Sequence, residues 1–413
     1  MKKLLLVFTV VMIAVVFMAN PFSSWENDLN PALMSFRSRG FIEVGVSPEI
    51  SIDQNYKALP DIIRDAMPPN SVYTIDFNDL YTSLNGNDLS LFALTETGAH
   101  ASIHFWPLGL GTYAYLKGSM DLSVPNKLID LIANGNKINE TYTASSQIFG
   151  DLYIDAGAYG ALRSDSFALG VKYGYFMPIA KSQNSVYNFK FDTNSQNSTM
   201  AATLTGDFSY VSPFSYSQLK NFSAEDIQHE FRNKAGQKLD IGFVTGENRK
   251  PFLGVSLNNI TLVPAKLDRK NNVTATATVS YNNPLFGGKV DISDPVIKTD
   301  ETVLYEPILA DAPLNMSAFI RLPFILDWIP YIQYYFNDSR VDWGVNAQGN
   351  LLWILPFNVG LESINNSWKA SAGMGIDIYL VQLYAQVSSR SRNFDMLMNT
   401  NNMAFRVDIG VGF

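Results

Sequence analysis

Residues Ala404 to Phe413 read AFRVDIGVGF. Successive side chains of a strand point to opposite faces. Phe405, Val407, Ile409, Val411 and Phe413 therefore make one apolar wall. Ala404, Arg406, Asp408, Gly410 and Gly412 make a small or polar one. A β-barrel in a bacterial outer membrane needs this pattern in its closing strand, with apolar groups towards lipid and small or polar groups towards the lumen. The last strand of a soluble sandwich would show the same alternation, so the decision rests on the rest of the chain.

The same grammar recurs upstream. Phe167, Leu169, Val171, Tyr173, Tyr175 and Met177 share a face against Ala168, Gly170, Lys172 and Gly174. Val273 to Tyr281 alternates Val and Ala with Thr and Ser. Ala372, Met374, Ile376, Ile378 and Leu380 oppose Gly373, Gly375, Asp377 and Tyr379. Further strands are expected at Phe41–Ile52, Gly98–Phe105, Leu110–Leu122, Ser146–Leu162, Tyr187–Phe191, Met200–Tyr210, Lys238–Thr245 and Phe252–Leu262. Five more follow between Asn315 and Ser389. Tight turns alternate with long polar loops, as on the two rims of a barrel. Of these segments about fourteen, within twelve to sixteen, are expected as barrel strands, and the fold class is all-β: a transmembrane antiparallel β-barrel. A soluble sandwich would need a covering partner for each of these apolar faces.

Composition agrees. The chain has 413 residues, a formal net charge of −8, and only 16% charged residues, against about 25% in soluble domains. It has 27 Phe, 20 Tyr and 6 Trp, material for aromatic girdles. It has no Cys, which excludes disulfides, thiolate metal sites and cysteine nucleophiles. The acidic balance and the lack of a basic stripe argue against nucleic acid as a partner.

Met1-Lys2-Lys3 and the apolar run Leu4–Ala19 have the layout of a secretory signal. Residues 1–24 are read as that signal, with cleavage after Ala19 or near Ser23–Ser24, and the mature protein as exported. Residues 25–413 are read as one outer-membrane barrel domain. Within it, 25–40 form a luminal leader, and 54–96, 123–145 and 212–236 form partly helical loops or a plug. Helices are expected at Ala58–Met67, Asn78–Leu84, Pro125–Ala133 and around Ser223-Ala224-Glu225-Asp226. Residues 282–313, rich in Pro and Asp, fit no element.

Asn30-Pro31-Ala32 follows the signal. Leu239-Asp240-Ile241-Gly242-Phe243 is followed by Phe252-Leu253-Gly254-Val255-Ser256-Leu257-Asn258-Asn259-Ile260. These stretches resemble the FadL-like superfamily of outer-membrane barrels, with its PorV-like and TraF-like members. The resemblance implies about fourteen strands with an amino-terminal segment tucked into the lumen. In FadL the lumen passes hydrophobic compounds. No ligand-contacting position matches residue by residue, and the inserts around 58–67 and 212–235 depart from the compact family pattern.

No catalytic constellation is present. The three histidines are His100, His104 and His229. His100 and His104 sit at i, i+4 in a strand, about 13 Å apart along the rise, too far for one metal. No G-x-S-x-G or phosphate loop occurs. An enzyme is not expected, nor any cofactor or metal. Asp155, Lys172, Asp240, Asp342, Asp377, Arg406 and Asp408 fall on the polar side of their strands. They either line a pore and set its charge selectivity or form a buried network that stiffens the wall. Two functions follow: a porin-like or FadL-like channel for small or hydrophobic molecules, or a non-transporting structural or secretion scaffold. Expected partners are outer-membrane lipid, a small hydrophobic or polar solute, and envelope proteins bound through loops.

Overall fold

The computed structural model describes residues 29–36, 42–55, 77–135, 141–194, 199–221, 223–247, 250–282, 290–294, 296–351, 354–378, 381–391, 394–397 and 403–412. The export signal and the helix expected at 58–67 lie outside these residues. Among them, no helix is long and apolar enough to cross a membrane.

In chain order the strands are β1 (Ile42–Gln54), β2 (Leu89–Phe105), β3 (Leu108–Val124), β4 (Thr141–Arg163) and β5 (Phe167–Asn194). Then come β6 (Thr199–Ser212), β7 (Gly236–Glu247), β8 (Lys250–Val263), β9 (Ala265–Asn282), β10 (Val290–Ile292) and β11 (Val296–Ala310). The last are β12 (Asn315–Ile320), β13 (Leu322–Pro323), β14 (Asp327–Tyr335), β15 (Arg340–Leu351), β16 (Leu355–Ile364), β17 (Ser367–Ile378), β18 (Val381–Ser391) and β19 (Met403–Gly412).

Fourteen of them close an antiparallel ring. β1 to β5 follow in sequence, then β7, β8, β12, and β14 to β19. The ring closes where β1 meets β19, with Val44 opposite Val411 and Ile50 opposite Phe405. That is the pairing the alternation of the last ten residues demands. Short turns such as Trp106-Pro107 and 164–166 lie on the rim that holds the chain's end. The long connections lie on the other rim. In bacterial barrels the short-turn rim faces the periplasm.

The outward faces form an apolar belt around the ring. Val44 is 50% exposed, Val171 46%, Ile376 46% and Ile409 42%. Aromatic groups border it. Tyr173, Tyr175 and Phe231 stack at the upper edge, as do Trp343, Trp368 and Phe394. Phe167 stacks on Phe243 at the lower edge, near exposed Trp106 and Trp328. Phe167 to Tyr175 is nine residues, enough for one tilted crossing, which takes about 9–11.

β5 has 28 residues, far more than a crossing needs. Its first part pairs with β7 up to Phe176, and its second part pairs with β6 from Lys181 on. Pro178, which has no N–H for a ladder, sits at the change, beside a bulge against β4. The sheet therefore branches. One arm continues the ring through β7. The other rises above the belt as β6, β9 and β11, with β10 on the far end of β9. Phe176, Val211, Ala265, Leu267, Ala310 and Ala312 pack the joint.

The branch corrects two expectations. The alternation in Met200–Tyr210 and Val273–Tyr281 predicts wall strands; β6 and β9 stand outside the ring, because alternation alone suits a wall and a free two-faced sheet equally. Residues 282–313, which fit no element on sequence, contain β10 and β11. Two strands are also longer than expected. β2 begins at Leu89 rather than Gly98, and β5 includes the strand expected separately at Tyr187–Phe191.

The helices Phe77–Leu84 and Asn126–Asn134 pack on each other through Leu80, Leu84 and Ile129, against Leu89 and Val124 at the upper ends of β2 and β3. The helix Ala224–Lys234 starts at Ser223, whose hydroxyl accepts the Asp226 N–H. Hydrogen bonds from the Ser223 hydroxyl and the Gln218 amide hold the Asp226 carboxyl below its usual range. With its neighbour Tyr216–Lys220, this helix covers Met177 and Ile179 just above the belt.

Placing arginine at Val171, midway between Phe167 and Tyr175, should destabilise the barrel by about 2–4 kcal/mol. The same change at Thr205 on β6 should cost well under that. Urea unfolding of protein refolded into lipid vesicles measures both.

Candidate functional site

The lumen is the site. Its lower half is filled by the segment Leu29–Phe36, of which Pro31–Phe36 is a 3-10 helix. The segment is seated through its backbone and by small residues in the wall. The Leu29 carbonyl accepts from the Ser256 and Ser317 hydroxyls, both at 2.6 Å, and from the Asn258 amide at 3.2 Å. Asn30, fully buried, donates to the carbonyls of Val255 (2.9 Å) and Phe243 (3.2 Å). Its own oxygen accepts the Ala32 N–H at 2.9 Å, which turns the chain into the helix.

The wall leaves room for this. A Cβ on Gly170 would stand 2.3 Å from the Ala32 nitrogen, and one on Gly242 would stand 2.0 Å from the Asn30 side-chain oxygen. Ala32, Leu33 and Phe36 then pack on Ala168, Val244, Phe319 and Ile329, and Met34 on Tyr113, Tyr115 and Tyr159. The Arg163 guanidinium lies over the Phe36 ring at 4.6 Å and the Trp106 ring at 5.3 Å, at the lower rim. Across the lower lumen, Asn346, Gln348, Asn358 and Tyr384 are buried, with Tyr384 bonded to Asn358.

Above the plug is a cavity of about 590 Å³. Seven acidic and seven basic side chains line it, in a chain that is only 16% charged. On the β3–β8 wall, Lys238 binds Asp155 at 2.6 Å and Asn259 at 2.9 Å. Asp240 accepts the Asn259 N–H at 2.5 Å and faces Lys172 at 3.9 Å. Asn259 sits at a positive φ of 60°, in a bulge of β8 opposite Asp240, so the carboxylate pins the bulge. Lys172 lies over the Tyr113 ring at 4.2 Å, and the Tyr113 hydroxyl donates to Asp155 at 3.1 Å.

On the facing wall Glu49 takes Lys369 at 3.3 Å and Arg406 at 3.4 Å. Glu362 lies 4.0 Å from Lys369 and accepts from Tyr331 at 3.1 Å. Glu96 and Lys117, paired at 3.2 Å, join the two groups around the ring.

Of the residues singled out in the sequence, Asp155, Lys172, Asp240 and Arg406 line this cavity. Asp342 is buried elsewhere; it accepts the Asn365 N–H at 2.9 Å and meets Arg340 at 3.2 Å. Asp377 is buried near the lower end of β17. Asp408 pairs with Tyr384 in the ladder, and its side chain lies outside the described residues. Strand parity alone offers Arg406 and Asp408 no partner but each other; Arg406 instead reaches Glu49 on the neighbouring strand. His104 shares a hydrogen bond with Ser102 at 2.8 Å. Among the described residues no cluster of three metal-ligating side chains occurs.

Sequence reasoning missed Glu49, Lys238, Glu362 and Lys369. Glu49 was within reach. The outward parity of Ile42, Val44 and Val46 continues through Pro48 to Ile50, which turns Glu49 inward. Glu362 and Lys369 oppose each other across the Asn365-Asn366 turn, a pairing that needs the register.

No family model and no curated protein matches the chain. It is similar to several solved barrels. The toluene transporter TodX of Pseudomonas putida is 9% identical over 95% of this chain and 94% of that one, with a TM-score of 0.46. A FadL homologue of Pseudomonas aeruginosa is 10% identical over 96% of each, with a TM-score of 0.46. The toluene transporter TbuX of Ralstonia pickettii is 9% identical over 96% and 98%, with a TM-score of 0.41. Likenesses this distant assign neither family nor cargo.

Asn30→Ala removes three hydrogen bonds and should loosen the plug by about 1–3 kcal/mol. Gly170→Val should expel it outright. Protease accessibility of residues 29–36 in vesicles would rise in both. Lys238→Met strands the buried Asp155 carboxylate and should cost about 3–5 kcal/mol, much of it regained by adding Asp155→Asn. Denaturant midpoints read this out.

Proposed function

We propose that this chain is an outer-membrane channel through which small polar solutes diffuse inward, closed at its periplasmic end by the plug 29–36. The charged cavity above the plug is the observation that carries the reading. A hydrophobic compound there would strip water from charged groups and offer nothing in exchange, which is unfavourable by several kcal/mol. A polar solute replaces the lost hydrogen bonds. The hydrophobic cargo that the FadL resemblance implies is therefore set aside in favour of polar solutes. The apolar belt and the export signal read at residues 1–24 support the outer membrane as the location.

A second reading, a scaffold that docks envelope partners, is favoured by β11. Val303 is 65% exposed there and Tyr305 100%, and among the described residues β11 pairs with β9 alone.

Liposome swelling with refolded protein separates the two. Glucose should enter slowly through the full chain, and about tenfold or more faster through Gly170→Val, as removing a plug worth about 1.4 kcal/mol or more requires. No entry through either protein would sink the channel and leave the scaffold.

A further inference from the structure

We infer that the cavity recognises a small zwitterion, a solute with one carboxylate and one ammonium group, bound with its carboxylate towards Lys369 and its ammonium towards Asp240. This rests on the channel reading above and adds the substrate class.

Three observations carry it. First, the lining carries seven charges of each sign. A bare anion or cation gains from one set and is repelled by the other, whereas a dipolar solute is matched at both ends. Second, the ion pairs are not equally tight. Lys238–Asp155 is closed at 2.6 Å and holds the wall together. Lys172–Asp240 stands at 3.9 Å and Lys369–Glu362 at 4.0 Å. One Asp240 oxygen is fixed by the Asn259 N–H, and the other, 3.9 Å from Lys172, can take a ligand ammonium. Lys369, held by Glu49 at 3.3 Å, can take a ligand carboxylate in place of its longer contact with Glu362. Third, the two open pairs face each other. β5 and β17 are seven strands apart in a ring of fourteen, so Lys172–Asp240 and Lys369–Glu362 lie on opposite walls of one cavity.

The direction of binding follows from the balance on each wall. Around Lys369 the cavity-lining cations are Lys369, Arg390 and Arg406, against the anions Glu49 and Glu362. That excess draws a carboxylate. The opposite wall balances Lys172 and Lys238 with Asp155 and Asp240, and of the two anions Asp240 has the longer ion pair, 3.9 Å to Lys172 against 2.6 Å for Asp155 and Lys238. At about 590 Å³ the cavity is within the range of small-molecule sites.

Calorimetric titration of the refolded full chain tests this with diglycine as the probe. Its N-acetylated form keeps only the anion, and its amide keeps only the cation. Diglycine should bind at least about tenfold tighter than either blocked form, or about 1.4 kcal/mol, and more weakly at high salt. Lys369→Gln should abolish the preference over the amide, and Asp240→Asn the preference over the acetylated form. The amide oxygen that Asp240→Asn introduces would still accept the Asn259 N–H, so the bulge is kept. Equal binding of all three compounds, or no binding, overturns the inference. Swelling assays on Gly170→Val distinguish this failure from failure of the channel. If glucose and diglycine enter at the same rate, the channel stands and the zwitterion preference falls. If neither enters, the channel falls.

Discussion

The hydrogen bonds between β1 and β19 are the contact on which the rest depends. In lipid no water satisfies a free backbone N–H or C=O, so a sheet can cross only if it has no edge. Val44 opposite Val411 and Ile50 opposite Phe405 remove that edge. Closure fixes which face of every other strand looks at lipid, and so places Glu49, Asp155, Lys172, Asp240 and Lys369 inside. The charged cavity is a consequence of the ring. The same side chains on an open sheet would face water and pair weakly.

Closure also explains the branch at β5. The ring needs only one crossing from this strand, and β7 takes it over as far as Phe176. Beyond the belt water can satisfy backbone groups, so edges are tolerated again. There the remaining length of β5 recruits β6, β9 and β11, and β11 can end the sheet with one side unpaired by described residues. The barrel and the upright sheet share a strand but obey different solvents.

The lumen shows polar groups used in two ways. Near the plug, Asn30, Ser256, Asn258 and Ser317 bond to carbonyls and to one another in a dry environment, where each lost bond is expensive. That part is a seat. Above it, Lys172–Asp240 and Lys369–Glu362 are open pairs on opposite sides of the cavity. There each pair is backed by a shorter contact, Asp240 to the Asn259 N–H and Lys369 to Glu49.

The alternation that recurs from Phe167–Tyr175 to Phe405–Phe413 and in the segments between and before them is enough to predict an antiparallel barrel and its approximate strand number. Side-chain direction in a strand depends only on parity, which is local. Parity could not distinguish β6 and β9 from wall strands, since Val and Ala alternating with Thr suits any two-faced sheet. Nor could it separate Asp342, tied to Arg340 and the Asn365 turn, from Asp155, which lines the cavity. Those outcomes depend on register and on which strand lies beside which, set by ring closure, the bulge at Asn259 and the break at Pro178. The sequence alone therefore determined which residues share a face of each strand. Only the tertiary structure decided which charges meet, because ion pairs such as Lys238–Asp155 and Lys369–Glu49 join residues 83 and 320 positions apart.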